Sequence, residues 1–269
     1  TVLRLYKQTG ILLSFVYSQC RNGVHITTEF ASESLFLHSI NDTEVNATMC
    51  NPLPLNYDFT VEEGVSRRDG AHPCVVLFRD VYYLFMSNIQ RYYKSDDLLH
   101  WTLVTTNLPT TGNAPAAIEM DGQLYLTFSG ATGTFYRTAT PESGRWEVAT
   151  NSFPYDVAEP SLFYDEGRLF LYSGSGNKVS LTGIEIDPKT FLPLTQTIPL
   201  ITNCKQTNGW EVAGDYHEWK TLSSWIEGTW MTKRDGRYYL QYASSGIQYT
   251  GSNQGVYVAD NPVGPFVLA

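Results

Sequence analysis

Three residues of this 269-residue chain have side chains and settings suited to proton transfer. Glu227 stands between Trp225 and Trp230, and a carboxyl between large rings is partly desolvated, which favours its neutral, proton-donating form. Glu159 and His72 each precede a proline that opens an apolar segment. Brought together, such groups can act as general acid and general base. The alternatives are a surface Glu at a strand end, a Glu bonded to a neighbouring strand, and a buried His with satisfied nitrogens.

The segments that carry these residues repeat one pattern, in which an apolar run, a polar turn and a second apolar run are followed by a Ser. Four copies of this pattern open at or near His72, Ala114, Glu159 and Glu227. Asp-Gly in the turn favours a β-hairpin, since Gly accepts the positive φ that the turn requires. A second polar turn follows each hairpin, so each copy predicts four short strands.

Repeats of four short strands, without any long window of 3.6-residue period, predict an all-β fold of the β-propeller type. The first strand of each blade runs near the central axis, so the residues that open the copies are expected to converge on one mouth. We assign residues 55–269 to the propeller and residues 1–54 to an N-terminal segment of uncertain structure. The apolar run from residue 11 to 17 in that segment fits either a secretory signal remnant or a strand.

The composition disfavours several kinds of partner and site. A net charge of −9 provides no basic surface for nucleic acid, and no apolar stretch approaches the roughly 20 residues that a membrane span needs. The four cysteines include no C-x-x-C pair, so the sequence does not support a structural zinc site, and we name no metal-ligating residue. Cys74 lies in an apolar run and is expected in the core, whereas a Cys20–Cys50 disulfide is left open. Aromatic residues, at 14%, suit both strands and concave sugar-binding sites.

A polar, Gly-rich stretch between Leu194 and Trp225 interrupts the repeats. Residues 208–217 of this stretch contain Trp210, Glu, Asp and His close together. Because binding residues are often carried on loops of a rigid scaffold, we expect this insert to cross the propeller face.

The ordered motifs between residues 55 and 266 resemble glycoside hydrolase family 43, in particular its arabinofuranosidase- and galactofuranosidase-like branch. The matching segments are residues 68–73, 93–98 with Trp101, 114–115, 159–163, 209–211, 225–228, 255–257 and 264–266. The resemblance implies a five-bladed β-propeller. In the family, sequence beyond the Gly-Pro-Phe at 264–266 supplies the last blade, so we expect that blade to be incomplete or missing and the chain to be a fragment.

The resemblance also implies an inverting hydrolase in which Glu227 is the general acid. Glu159 stands where the family has an Asp that orients the acid and favours its protonated form. His72 stands where the family has the Asp that acts as general base, and an imidazole can accept a proton from water near neutral pH. Three outcomes are open: His72 is the base, another carboxylate such as Asp69 is, or hydrolysis is lost and a carbohydrate-binding protein remains.

The implied substrate is a plant polysaccharide whose side chains lose a terminal α-L-arabinofuranosyl, or a related furanosyl or xylosyl, residue. We expect a secreted or periplasmic monomer that requires no cofactor and that holds a central structural cation in the full-length protein. The candidate substrate-binding residues, beside the three catalytic candidates, are Asp69, Tyr93, Ala114, Trp210, Trp225 and Trp230.

Overall fold

The computed structural model describes residues 71–87, 91–109, 112–177, 179–202, 208–219, 225–246 and 248–269, together with Leu55 and four short strands nearer the N-terminus. Those four are β1 (Leu3–Tyr6), β2 (Leu13–Phe15), β3 (Phe59–Glu62) and β4 (Val65–Arg68). Strands β3 and β4 form a hairpin, and β1 pairs with β2. The Cys20–Cys50 disulfide, which the sequence leaves open, lies outside the described residues.

Four sheets form four blades, and the main part of each blade is four antiparallel strands. Blade 1 contains β5 (Cys74–Phe78), β6 (Val81–Phe85), β7 (Arg91–Ser95) and β8 (Thr102–Thr105). Blade 2 contains β9 (Asn113–Met120), β10 (Gln123–Ser129), β11 (Phe135–Thr138) and β12 (Glu147–Thr150). Strand β1 extends blade 1, because it pairs in parallel with β5.

The third and fourth blades share a small strand. Blade 3 contains β13 (Ser161–Asp165) and β14 (Arg168–Ser173), which are followed by the two-residue β15 (Ser175–Gly176), and then β16 (Ser180–Ile186) and β17 (Ile198–Thr202). Blade 4 contains β18 (Ile226–Arg234), β19 (Arg237–Ser244), β20 (Asn253–Ala259) and β21 (Val267–Leu268). Strand β15 leaves blade 3 and pairs with β18 of blade 4. Two short 3-10 helices, Pro141–Ser143 and Gly209–Glu211, lie in connections.

The hairpin turns follow the turn chemistry expected from the sequence. Both central residues of the β9–β10 turn, Asp121 and Gly122, have positive φ, and so do Glu166-Gly167 and Asp235-Gly236 in blades 3 and 4. Two successive left-handed residues give a type I′ turn, whose twist matches that of the flanking strands. Along β19, buried and partly exposed residues alternate, as the two-residue period of a strand requires.

Most of the hydrophobic core lies between the blades, and one further cluster, around Val75, Leu84 and Tyr93, lies on blade 1 alone. Separate clusters of buried side chains fill the spaces between blades 1 and 2, blades 2 and 3, and blades 3 and 4. The inner strands are in contact in the order β5, β9, β13 and β18. Trp230 of β18 also joins the cluster between blades 1 and 2, so the four sheets surround a common axis. The predicted all-β propeller architecture and its four repeats are confirmed.

Cys74 lies at the junction of blades 1 and 2. Its side chain is buried, and its Sγ accepts a hydrogen bond from the backbone N–H of Ala117 on β9 at 3.4 Å. The expectation of a core cysteine is therefore correct. No helix among the residues that the structure describes is long and apolar enough to cross a membrane.

Residues 208–219 of the insert pack against blade 4, whereas the start of the stretch that interrupts the repeats, Ile198–Thr202, is strand β17 of blade 3. A Cβ on Gly255 of β20 would lie 2.4 Å from the Trp210 ring and 2.5 Å from the Tyr242 ring, so this contact requires a glycine. Within the insert, the fully buried Glu211 accepts hydrogen bonds from Tyr242 (2.6 Å) and from Asn208 (3.0 Å). These contacts fix one end of the insert to the β19–β20 hairpin.

Candidate active site

The residues that open the four inner strands share an unusual backbone conformation. His72, Ala114 and Glu159 have φ of 52, 48 and 51°, and Gly228 has φ of 67°. Left-handed conformations are uncommon for residues with a Cβ, cost about 1–3 kcal/mol and concentrate at functional sites. In this register Gly228, and not Glu227, is the equivalent of the other three, so Glu227 stands one residue earlier in its blade.

Serine hydroxyls tie each of the first two blades to the residue that opens the next. Ser87 follows β6, and its Oγ accepts the backbone N–H of Ala114 at 2.8 Å. Ser129 ends β10, and its Oγ accepts the backbone N–H of Glu159, also at 2.8 Å. The Ser that closes the sequence pattern therefore positions the opening residue of the following blade.

His72 lies between Ser87 and Glu159. Its Nδ1 is 2.9 Å from Ser87 Oγ, and its Nε2 is 3.7 Å from Glu159 Oε1. The Ser87 oxygen can accept an Nδ1–H beside the Ala114 N–H, or its hydroxyl can donate to Nδ1, so the contact is compatible with either tautomer of neutral His72. When the hydroxyl donates, His72 carries its own proton on Nε2, facing the Glu159 carboxylate; in the other tautomer Nε2 keeps a lone pair that can accept a proton.

The sequence of contacts from Ser87 through His72 to Glu159 has the residue types of a hydrolytic triad. The side chain of a nucleophile must, however, reach the substrate. Ser87 is 0% exposed, behind His72. Its hydroxyl therefore orients the imidazole and the next blade and does not act as a nucleophile.

Glu227 is held through one of its two carboxylate oxygens. Oε2 accepts a hydrogen bond from Ser175 Oγ at 2.8 Å and another from Trp225 Nε1 at 2.5 Å. A register shift in the β18–β19 pairing between Glu227 and Trp230 accompanies this placement. Among the described residues, no donor is bonded to Oε1. The carboxyl is thus fixed in orientation while one oxygen is left for another molecule.

The hydrogen bond between Ser175 and Glu227 is not predicted from the sequence. It belongs to β15, which pairs with β18 so that Ser175 lies opposite Glu227. The two residues are 52 positions apart, and the two-residue strand leaves no periodic signal in the sequence. Ser87 and Ser129 carried a signal, the recurrent Ser after each hairpin, whose role the sequence does not reveal.

The four predicted sugar-contacting rings have different surroundings. Trp225 is 42% exposed, beside Glu227. Trp230 and Tyr93 are buried in core clusters, and Trp210 is partly buried against Tyr242. Of the four, only Trp225 presents a large surface to solvent. The sugar-binding role of all four stays a prediction.

Two other predicted positions are less informative. Ala114 is buried with its N–H bonded to Ser87, so it shapes the mouth through its backbone. Asp69 lies outside the described residues. Among the described residues, no three His, Cys, Asp or Glu side chains are grouped to hold a metal ion; the central cation implied by the family resemblance stays a prediction, and no chemical step is derived through it.

Comparison with known proteins relates this arrangement to one group of enzymes. Two solved structures with the same fold are an endo-1,4-β-xylanase from Bacteroides thetaiotaomicron, with a TM-score of 0.59 at 22% identity, and an α-L-arabinofuranosidase from Clostridium thermocellum, with a TM-score of 0.55 at 16% identity. The alignments cover 75% of this chain and 72% of the first structure, and 74% of this chain and 71% of the second. At these identities the likeness concerns the fold.

Sequence comparison is more specific. A β-D-galactofuranosidase of Aspergillus niger is 27% identical over 204 residues, which cover 65% of this chain and 54% of the relative. The chain therefore spans about half the length of this curated relative. The model of the family described as glycosyl hydrolases family 43 matches residues 62–269, which include all four blades and the whole mouth. The chain belongs to glycosyl hydrolases family 43.

Proposed function

We propose that the protein is an inverting, exo-acting glycosidase that removes terminal furanosyl residues, foremost α-L-arabinofuranosyl, from plant polysaccharide side chains. The observation that supports this most is the setting of Glu227. Its Oε2 accepts two hydrogen bonds, and its Oε1 has no donor among the described residues. A carboxyl oriented in this way can carry its proton on Oε1 and deliver it to the oxygen of a leaving group.

The name of the curated relative supports a furanoside as substrate. That relative is a β-D-galactofuranosidase. α-L-Arabinofuranose and β-D-galactofuranose have the same ring and the same configuration at the ring carbons, and galactofuranose has one more hydroxymethyl carbon outside the ring. A site that fits one ring fits the other wherever there is room for that extra carbon.

The proposed reaction uses two proton transfers on opposite faces of the sugar. Glu227 protonates the glycosidic oxygen as its bond to the anomeric carbon breaks. A water attacks that carbon from the opposite face and passes a proton to the base, so the anomeric configuration inverts. His72 occupies the position of the base, and Glu159, whose carboxylate faces it, would stabilise the imidazolium that forms.

A second candidate function is carbohydrate binding with little or no hydrolysis. The observation that favours it is that both His72 nitrogens have partners, Ser87 at Nδ1 and Glu159 near Nε2. A neutral imidazole with a bonded Nδ1 and a protonated Nε2 has no free lone pair for a proton from water.

Turnover of 4-nitrophenyl α-L-arabinofuranoside, β-D-galactofuranoside and β-D-xyloside, and of arabino-oligosaccharides, tests the proposal. Glu227→Gln is expected to lose about 10²- to 10⁴-fold in kcat on oligosaccharide. The loss should be smaller on nitrophenyl glycosides, because nitrophenolate leaves without a proton. Glu147→Gln, in an exposed ion pair with Arg137 on blade 2, is the matched control. Wild-type turnover of oligosaccharide by Glu227→Gln would rule out this residue as the acid.

Variants at position 72 decide between the two candidates. If His72 is the base, the wild type hydrolyses one of these glycosides with inversion, detected by NMR of the first-formed anomer, and His72→Ala loses most of that activity. If the protein only binds carbohydrate, the wild type shows binding without turnover, and His72→Asp gains measurable hydrolysis. Brisk turnover by the wild type excludes the second candidate.

A further inference from the structure

Two exposed aromatic residues of the insert, Tyr216 and Trp219, and the partly buried Tyr249 of the β19–β20 connection make up what we call the aromatic strip. Tyr216 is 88% exposed and Trp219 is 42% exposed. The Trp219 and Tyr249 rings meet edge to face, with centroids 4.9 Å apart and planes at 78°. Large aromatic surfaces left in water at neighbouring positions are a feature of ligand-binding surfaces more than of inert ones.

Backbone contacts hold this strip in a fixed shape. The N–H of Thr250, next to Tyr249, donates to Asp215 Oδ1 at 2.9 Å. The N–H of Trp219 donates to the carbonyl of Ala213 at 3.0 Å. Rings on segments that are already tied together lose little conformational entropy when a ligand binds.

Hydrogen bonds of Ser245 connect the start of the insert to the strand end beside Glu227. The N–H of Ser245 donates to the carbonyl of Trp225 at 3.0 Å. The hydroxyl of the same Ser245 donates to the carbonyls of Trp210 at 2.9 Å and Val212 at 3.3 Å, at the start of the insert. One residue therefore joins the strand end beside Glu227 to the insert that carries the exposed rings.

The charges around the strip indicate which saccharides suit it. Asp215 bonds to Thr250, and Glu218 accepts the N–H of Tyr216 at 2.8 Å, so two carboxylates border the rings. The chain as a whole has a net charge of −9. Carboxylates repel the uronic acids of anionic polysaccharides, whereas the C–H faces of neutral sugars can stack on aromatic rings.

We propose that Tyr216, Trp219 and Tyr249 bind neutral sugar units of the polysaccharide on the leaving-group side of the cleaved bond. The location follows from Glu227, since a general acid stands beside the leaving oxygen and the rest of the polymer extends from that oxygen. The placement of the rings on the leaving-group side rests on the proposed function, whereas sugar binding by these rings does not require hydrolysis.

Binding to the Glu227→Gln protein, measured by calorimetry, tests the strip apart from turnover. The probes are 1,5-α-L-arabinopentaose, arabinose and tetragalacturonate. We expect the pentaose to bind more tightly than arabinose, and Trp219→Ala to weaken pentaose binding by about tenfold. Trp219→Phe should recover part of the loss. Leu194→Ala, an exposed apolar residue where blade 3 turns at its end remote from the mouth, should stay within about twofold.

The proposal is overturned if Trp219→Ala binds the pentaose like its parent while retaining the parent's melting temperature. It is also overturned if the pentaose binds no better than arabinose, or if tetragalacturonate binds as tightly as the pentaose. If pentaose binding depends on Trp219 but the wild type cleaves no glycoside, the result supports sugar binding by the strip and contradicts the proposed hydrolase function.

Discussion

At Glu227, two donors from different parts of the chain meet on one carboxylate oxygen. Trp225 is two residues earlier on the same strand end, and Ser175 comes from the preceding blade. Two bonds to Oε2 restrict rotation of the carboxyl and leave Oε1 as the oxygen that can hold a transferable proton. Ser175 is accordingly a positioning residue, because it acts on the reaction only through Glu227.

Ser175→Ala is expected to lower kcat on arabino-oligosaccharide by about 5- to 50-fold with little change in KM, since a misplaced acid affects the transition state more than binding. Ser175→Thr, which keeps a hydroxyl, should recover much of the rate. Ser143→Ala removes an exposed hydroxyl in blade 2 that bonds Thr140 and serves as control. An unchanged kcat in Ser175→Ala would show that Trp225 alone positions the carboxyl.

At the scale of elements, the hydrogen bonds of Ser87 and Ser129 connect each of the first two blades to the residue that opens the next blade. Ser129 Oγ accepts the N–H of Glu159, whose backbone is left-handed. A buried N–H without a partner costs about 1–3 kcal/mol. The hydrogen bond thus offsets part of the conformational cost of the position that faces His72.

Ser129→Ala should lower the free energy of unfolding by about 1–3 kcal/mol, measured by urea unfolding. It should also reduce kcat, because Glu159 loses its backbone anchor. Ser152→Ala, in the exposed connection after β12, is expected to change the free energy of unfolding by less than about 0.5 kcal/mol. Equal stabilities of the two variants would contradict the role given to Ser129.

The insert depends on the absence of a side chain at Gly255. Gly255→Ala places a methyl group against the Trp210 and Tyr242 rings, and overpacking of this kind costs about 1–3 kcal/mol. Gly209→Ala, in the same insert, meets no atom within 4 Å and should be close to neutral. Thermal unfolding of the pair gives the comparison, and a Gly255→Ala protein as stable as Gly209→Ala would contradict the packing.

The repeats could be predicted because each hairpin depends on local chemistry. Positive φ at the polar turns and alternating burial along strands such as β19 are properties of short segments, and these segments show them in sequence. The four blades follow from their repetition.

Contacts between distant segments could not be predicted in the same way. Ser175 meets Glu227 only after two blades have formed, and nothing local marks it. Aromatic composition indicated rings for sugar contact but not which of these rings are buried. Their strands bury successive side chains on both faces, so Trp230 and Tyr93 lie in the core. Trp219, not singled out from the sequence, is exposed.

For the whole molecule, buried tyrosines between the blades couple stability to alkaline pH. Burial, with smaller contributions from Glu142 and Asp96, raises the pKa of Tyr83 to about 12. Burial also raises the pKa of Tyr92, of Tyr172 and, together with its bond to Glu211, of Tyr242. In the unfolded chain a tyrosine loses its proton near pH 10. The folded state therefore holds more protons than the unfolded state above that pH.

These tyrosines are therefore expected not to change the free energy of unfolding below about pH 10 and to lower it between about pH 10 and 12. Urea unfolding at a series of pH values, with tyrosinate absorbance recorded in parallel, measures this. Tyr83→Phe has one such group fewer and should show a shallower decline. A stability that stays flat to pH 12 would contradict the burial of these hydroxyls.

The reactivity of Cys74 can be used to measure how often blades 1 and 2 separate. Its thiol is buried and accepts the N–H of Ala117 across the junction, so a reagent reaches it only when the two blades separate. The rate of Cys74 alkylation, followed by mass spectrometry of its peptide, then reports the frequency of that separation. A bound oligosaccharide that spans the mouth would slow this labelling without touching the cysteine, which makes Cys74 a remote sensor of occupancy.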